Sequence, residues 1–455
     1  MPKTARWTNE SVIRLAGDQD PVSVITTRAR ELVMRAMDAG WAGPPFDPII
    51  LANEFLSIEV IASDDVSDAK TVATRAGARI EFNPNRPRER RRYSVAHEIA
   101  HTLFPDYAER VRHRGSHHAE VQPQDWQLET LCNIAAAEIL MPIGSLPPPN
   151  PDGFAIDVLT RVRPRFDVSM EAVLIRTAHI AGFPCAVFAA SRRETGSGSG
   201  VYTVDYAIAS QDWRPPAARG QTLSTDSVVN QCTAIGFTAK GEETWIANGE
   251  RVRVECVGIP AFPGSTYPRV AGILIPARFR AGDQHSIKYL KGDALDPRGG
   301  GPKVLVHVVN DATPNWGGRG VALAIRKRWP QVQEDFREWA AASRNNLKLG
   351  RVRFFDLDEL TAIASVVAQH GYGESASPRI RYSAIESGLQ QVATAAFQRG
   401  ASVHMPRIGT GYGGGVWLVI QELITNVLCS AGVPVTVYDL PTRVPSAQPS
   451  LFEEP

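Results

Sequence analysis

The sequence predicts a multidomain chain with α+β and α/β parts: a helix-rich N-terminal domain, a small β-rich middle domain and a layered α/β C-terminal domain. Its length of 455 residues exceeds what one hydrophobic core organises and suggests about three domains. The texture also changes twice. Apolar residues recur at helical spacing up to Gly182, short β-prone runs separated by Gly, Pro and Ser follow from Cys185 to Ala277, and from Ile287 strands alternate with helical stretches. These shifts place boundaries at 1–184, 185–282 and 283–440, with a Pro-, Ser- and Glu-rich tail at 441–455 that reads as disordered.

Each element has a local reason. Ile25, Ala29, Leu32 and Ala36 form one buried stripe on a helix over Ser23 to Ala39, stopped by Gly40. Gly43-Pro44-Pro45 breaks the chain, Asp47-Pro48 starts a short helix through Leu56, and Ile58 to Ile61 and Arg79 to Phe82 read as strands. Helices follow from Arg91 to Leu103 and from Trp126 to Leu140, the latter ended by Met141-Pro142. Leu146-Pro147-Pro148-Pro149-Asn150-Pro151 is a loop, and Val168 to Ile180 forms a further helix. In the middle domain Ala186 to Ala189, Val201 to Ile208, Arg251 to Val257 and Val270 to Ile275 are strands, with a flexible Gly-Ser loop at Thr195 to Gly200 and core tryptophans at Trp213 and Trp245. The last domain carries strands at Val304 to Val309, Val352 to Phe355, Ala362 to Val367 and Val433 to Tyr438.

Composition narrows the class further. A hydrophobic content of 43% and a charged content of 21% are those of a soluble globular protein, and a net charge of +1 argues against a surface devoted to polyanions. Five cysteines, an odd number without C-x-x-C spacing, indicate neither a disulfide framework nor a cysteine metal site, which fits a reducing cytoplasm. No apolar signal region or membrane-length run occurs, so the chain reads as soluble and unexported.

The chemistry concentrates in His97-Glu98-Ile99-Ala100-His101. On a helix this spacing sets two imidazoles one turn apart on one face with a carboxylate beside them, the pattern of a zinc site with its own base. Catalytic zinc keeps three protein ligands and an open position, so a third is required. Glu129 on the next long helix is the candidate, and Glu138, set among apolar residues, reads instead as a charge at the core edge. Arg110, Arg112, His113, Arg114, His117 and His118 read first as a solvated loop and second as a lip over the cleft. Arg86-Pro87-Arg88-Glu89-Arg90-Arg91-Arg92 reads first as a solvated start to a helix, and second as a direct nucleic-acid contact.

Tyr93 to His101, followed by Glu129, Asn133, Ala136-Ala137 and Leu140-Met141-Pro142, resembles the ImmA/IrrE family of zinc metallopeptidases over about residues 23–182. The resemblance implies a helical zincin-like domain with Zn2+ held by His97, His101 and Glu129 and with Glu98 as the base. Ala100 stands where the family often has Gly.

Two glycine-rich loops mark the C-terminal domain. Asn315-Trp316-Gly317-Gly318-Arg319-Gly320 runs into a helix, and Ile408-Gly409-Thr410-Gly411-Tyr412-Gly413-Gly414-Gly415 follows a strand and precedes another. Both suit a phosphate cradle, because glycine lets backbone N–H groups approach an anion closely. With Lys291-Gly292-Asp293-Ala294, Val306 to Asn310 and Ser402 to Gly409, they resemble a macro domain, a three-layer α/β/α fold that binds ADP-ribose, over about residues 285–440. The resemblance implies Asp293 on the adenine amino group, Asn310 with Gly317, Gly318 and Gly320 at the distal ribose, and Gly409, Thr410, Gly411, Tyr412, Gly413 and Gly414 around the diphosphate. Tyr438 is either an adenine platform or a core residue. Hydrolytic macro domains with a covalent lysine and a partnering acid should show them near residue 368 and in the second loop; Ala368-Gln369-His370-Gly371 and Gly411 to Gly414 hold neither. The stretches Val367 to His370 and Ser402 to His404 are similar to the macro module of a chromatin-remodelling ATPase, which implies reading rather than removal.

The resulting expectation is a regulatory zinc endopeptidase of a stress or phage-defence type. Its macro domain would read ADP-ribose or an ADP-ribosylated macromolecule, and its protein substrate would be of the DNA-binding repressor kind. The alternatives are an ADP-ribosyl hydrolase that docks through the peptidase-like domain, and a non-catalytic ADP-ribose-binding scaffold.

Overall fold

The computed structural model describes residues 7–440 apart from 75–76, 110–124, 147–155, 194–199, 211–212, 214–216, 218, 246–248, 262–266, 278, 280–286, 317, 374 and 376–377. The histidine-rich stretch from Arg110 to His118, the proline run at 147–151, the Gly-Ser segment at 195–199, Gly317 and the tail at 441–455 therefore lie outside the described residues. The chain divides into two compact units, Met1–Gln284 and His285–Pro455.

The first unit opens with α1 (Glu10–Ala16) and α2 (Pro21–Asp38), whose N-caps Asn9 and Asp20 accept the N–H of Val12 and Ser23. A capping oxygen satisfies one of the N–H groups that a first helical turn leaves without a partner. Ile25, Ala29, Leu32, Val33 and Ala36 of α2 are buried as their spacing requires. A single turn, α3 (Pro48–Ile50), continues as a π-helical turn at Leu51–Phe55. Then come β1 (Glu59–Ala62), β2 (Ala69–Thr74) and β3 (Gly77–Phe82), in the order β1-β3-β2, with β1 parallel and β2 antiparallel to β3. Helix α4 (Arg88–His101) packs against this sheet and against α5 (Asp125–Leu140). Helices α6 (Ile156–Val162) and α7 (Met170–Ile180) follow.

Strands β4 (Ala186–Arg193), β5 (Val201–Ala209), β6 (Thr238–Thr244), β7 (Arg251–Ile259) and β8 (Arg269–Pro276) form one antiparallel sheet, ordered β5-β4-β8-β7-β6. Alternation sends its side chains to two cores. Val187, Val257, Ala271 and Ile273 join the core built by α4, α5 and α7. Phe188, Val254, Leu274 and Trp245 fill a second core. Trp213, partly buried beside it, donates its indole N–H to Glu250 at 3.2 Å.

The second unit comprises β9 (Lys288–Lys291), β10 (Lys303–Asn310), α8 (Gly320–Arg328), α9 (Pro330–Ala342), β11 (Val352–Asp356), β12 (Thr361–Gln369), α10 (Tyr382–Arg399), β13 (Ser402–Pro406), α11 (Trp417–Ile424) and β14 (Val435–Asp439). Its sheet has the order β11-β12-β10-β13-β14-β9, parallel except for β11. In such a sheet the strands share one carboxyl edge, where ligands bind. The second glycine loop runs into a helix, α11, and not into a strand. Val419, Ile420, Leu423 and Ile424 recur at helical spacing and are buried on one face.

Candidate functional sites

In the first unit α4 and α5 bring three of the expected residues together. His97 Nε2 lies 2.8 Å from Glu129 Oε2, and His101 Nε2 lies 3.8 Å from Glu129 Oε1. The two imidazole rings stand edge to face, 4.9 Å apart, as an i, i+4 pair on one helix face allows. Two nitrogens and a carboxylate oxygen bound to one tetrahedral zinc ion would be roughly 3.3 Å apart, since such bonds are about 2.0–2.2 Å long. The two observed separations, one to each oxygen of Glu129, lie on either side of that value, so these residues could hold such an ion.

Further contacts orient the rings. Asn133, one turn beyond Glu129, accepts from the Tyr93 hydroxyl at 2.6 Å and from His97 Nδ1 at 2.9 Å. That contact puts the His97 proton on Nδ1 and turns Nε2 towards Glu129. Burial opposes a charge on His97, but the hydrogen bond and charge of Glu129, together with the charge of Glu98, outweigh it and raise the pKa of His97. His101 Nδ1 faces Cys132 Sγ at 3.4 Å, and His97, His101 and Cys132 form a group that could hold a metal ion, with donor atoms within 4.8 Å of one another. The thiol meets the side of the His101 ring opposite Nε2.

Glu98 is buried and turns to the sheet, where it accepts a 2.7 Å hydrogen bond from the Thr71 hydroxyl. Sequence reasoning missed Thr71, because β2 carries no apolar alternation strong enough to mark it as a strand. Glu138 forms a 2.8 Å buried ion pair with Arg176 of α7, which fixes it in the core. Asp68 engages Arg90 at 2.6 and 2.7 Å and Arg86 at 3.2 Å, so these two arginines are tied to the domain itself.

In the second unit the glycine loops meet at the carboxyl edge of β10 and β13. Asn310 ends β10, is buried, and accepts the N–H groups of Ala312 and Thr313 at 3.0 and 2.9 Å, which turns the chain into the first loop. Arg319 of that loop donates to the hydroxyl of Tyr412 in the second and lies 5.0 Å over its ring. Gly320 and Gly318 are exposed, as are Gly411 and Gly414, while Thr410 is half-buried and donates to the Arg407 carbonyl at 2.8 Å. Gly409 has φ of +72°, and a Cβ on Gly413 would stand 2.7 Å from the Gly409 carbonyl oxygen, so both positions demand glycine. Asp293 is exposed and caps the next turn through Leu295 N–H at 2.9 Å. Tyr438 is a core residue: it is buried, and its hydroxyl accepts from Arg298 N–H at 2.9 Å and contacts His404 at 3.1 Å.

One pairing was absent from the sequence reading. His370, just after β12, contacts Asp311 Oδ2 through Nδ1 at 2.8 Å, and Asp311 Oδ1 accepts Gly371 N–H at 2.8 Å. The partners lie 59 positions apart, and only the parallel pairing of β10 with β12 joins them.

The profile of the IrrE N-terminal-like domain, peptidase M78, matches residues 55–178. The chromodomain-helicase-DNA-binding protein 1-like of Mus musculus is 32% identical over 177 residues, which is 37% of this chain and 19% of that protein. The chain thus spans less than a fifth of the length of that curated relative. The structure of a macrodomain protein from Streptomyces coelicolor is 39% identical, covering 34% of this chain and 99% of that one, with a TM-score of 0.30. The macrodomain of Thermus aquaticus DarG is 22% identical over 34% of this chain and 98% of its own, with a TM-score of 0.28. Residues 55–178 thus match the IrrE N-terminal-like domain, and about a third of the chain is similar in sequence to a macrodomain protein. No described helix is long and apolar enough to cross a membrane.

Proposed function

We propose that this union of a peptidase-type domain and a macrodomain is a zinc-dependent, site-specific regulatory endopeptidase guided by ADP-ribose. The observation that carries the reading is the convergence of both HExxH imidazoles on Glu129, with Glu98 held apart by Thr71. His97, His101 and Glu129 would hold the ion through two Nε2 atoms and a carboxylate oxygen, with Asn133 and Cys132 orienting the rings from behind. Zinc, when bound, polarises the scissile carbonyl and brings the pKa of water towards neutrality.

The remaining chemistry belongs to the chain. Glu98 takes a proton from the attacking water and returns it to the departing amine. The Thr71 hydroxyl fixes one carboxylate oxygen, which leaves the other to carry the proton. Because β2 is the edge of its sheet and supplies Thr71, an extended polypeptide laid along that edge would bring its backbone beside Glu98. In the second unit the backbone of the glycine loops would hold the diphosphate of ADP-ribose, with Asp293 on the adenine and Asn310 shaping the distal-ribose end. The substrate class is a DNA-binding repressor whose removal releases a stress or phage-defence response.

Trapping tests this reading. A Glu98→Gln variant, expressed with and without an ADP-ribosylation stimulus, is expected to retain partners that the wild type cleaves, and to gain them under the stimulus. Identical partners under both conditions contradict guidance by ADP-ribose, and cleavage by the variant contradicts the role of Glu98.

A further inference from the structure

Strand β6 ends the five-stranded sheet of the first unit. Trp245 N–H donates to the Glu250 carbonyl at 3.3 Å and Gly258 N–H to the Phe237 carbonyl at 2.9 Å, which makes the odd-numbered positions of β6 the ones bonded to β7. The backbone N–H and C=O groups of Thr238, Lys240, Glu242 and Thr244 therefore point away from β7, along the outer edge of the sheet. The side chains of these four residues are exposed as well, while Ala239 is buried in the second core. Proteins commonly guard such an edge with a proline or a bulge. From Thr238 to Thr244 there is no proline, and the pairing with β7 runs without a register shift. Just ahead of the strand Ile235 and Phe237 are 64% and 57% exposed. Outward backbone groups beside apolar surface form a template for another strand.

The charges on β6 select which strand that is. When two copies of one strand pair about a two-fold axis, every contact occurs twice, with the two residues exchanged between copies. Only the even-numbered positions offer outward backbone groups, so an even position must meet an even position. Centring the pair on Lys240 sets two lysines opposite each other, centring it on Glu242 sets two glutamates opposite each other, and like charges so placed repel. Centring it on Gly241 sets Lys240 against the partner's Glu242 twice, and Thr238 against the partner's Thr244 twice. Gly241 is also the midpoint of Thr238–Thr244, so this register pairs the strand over its whole length. It brings Ile235 and Phe237 to the far end of the partner's β6, which removes apolar surface from water. Glu242 already lies 3.2 Å from the exposed Arg251, and a carboxylate has lone pairs enough for both cations. We propose that β6 is a self-pairing edge, through which two copies of this chain join antiparallel about Gly241 and make one continuous sheet from two. The pairing needs neither metal nor ADP-ribose.

Sedimentation velocity of the full-length chain over a concentration series tests the proposal. Wild type is expected to pass from monomer to dimer as concentration rises, and the dimer to weaken as salt screens its charges. Lys240→Glu and Glu242→Lys each place like charges opposite each other twice, and each should raise the dissociation constant by about tenfold or more. The double variant restores both pairs in reversed order and should return the constant to within about threefold of wild type. Both positions are exposed, and the Glu242 contact with Arg251 is a surface pair of little stabilising effect, so circular dichroism and melting temperature should match wild type. Hydrogen exchange reads the edge in the wild type itself: the amides of Lys240 and Glu242 should exchange more slowly as the dimer forms. Wild type that stays monomeric at about 0.1 mM overturns the proposal and leaves the edge to a different occupant. A wild-type dimer that the single reversals do not weaken, a folded double variant that pairs no better than the singles, or unchanged exchange at Lys240 and Glu242 also overturns it.

Discussion

At the scale of single residues, the proposed reading gives metal holding and proton transfer to different carboxylates of the first site. Glu129 faces both Nε2 atoms, while Glu98, one position from His97, is turned away and bonded to Thr71. Glu98→Gln should therefore keep the metal and lower peptidase kcat by about 10²–10⁴-fold, as loss of a general base does; metal content and cleavage rate are the two readings. Thr71→Val should lower kcat by about tenfold with the metal retained, because a hydrogen bond to a charged group contributes about 1.5–3 kcal/mol. The sequence made the two histidines and Glu98 legible through their spacing. Thr71 was illegible, since its partnership depends on a strand 27 positions upstream. Arg176 was likewise silent; Arg176→Met would strand Glu138 and destabilise the first unit by about 3–5 kcal/mol, measurable by denaturant unfolding.

At the scale of elements, periodicity exposed what is apolar and hid what is polar or short. The stripe of α2 and the buried runs of β8 and β12 were readable from residue type alone. Strand β2, with Lys70, Thr71 and Thr74 among its six residues, was not, and neither was β6, whose Thr238 to Thr244 reads as a polar linker. The second glycine loop was recognisable from composition, but its exit into α11 was misread. Its conformation nonetheless explains the glycines. Gly413→Ala would drive a Cβ against the Gly409 carbonyl, a backbone atom that cannot swing aside. Calorimetry should find ADP-ribose affinity reduced by about tenfold or more, about 1.4 kcal/mol, with the melting temperature little changed; unaltered affinity would remove this loop from the ligand site.

At the scale of the whole molecule, the second of the two compact units carries two buried histidines that set its response to acid. Burial pushes the pKa of His307 down to about 3, and burial with the nearby Lys303 pushes that of His404 down to about 4. An unfolded histidine titrates near about 6.5. Below that value the unfolded second unit gains protons that the folded unit refuses, so stability must fall as pH drops from about 6.5 towards 3. The melting temperature of this unit should be lower at pH 5 than at pH 7; an equal or higher value would contradict the burial of both rings. In the first unit the central claim is that His97, His101 and Glu129 form the metal centre of a peptidase. Metal analysis of the purified full-length chain tests it most directly. The account predicts one zinc per chain in wild type and in Cys132→Ser, and its loss in Glu129→Gln. Zinc retained by Glu129→Gln and lost from Cys132→Ser would assign the centre to the thiolate group instead and contradict the account.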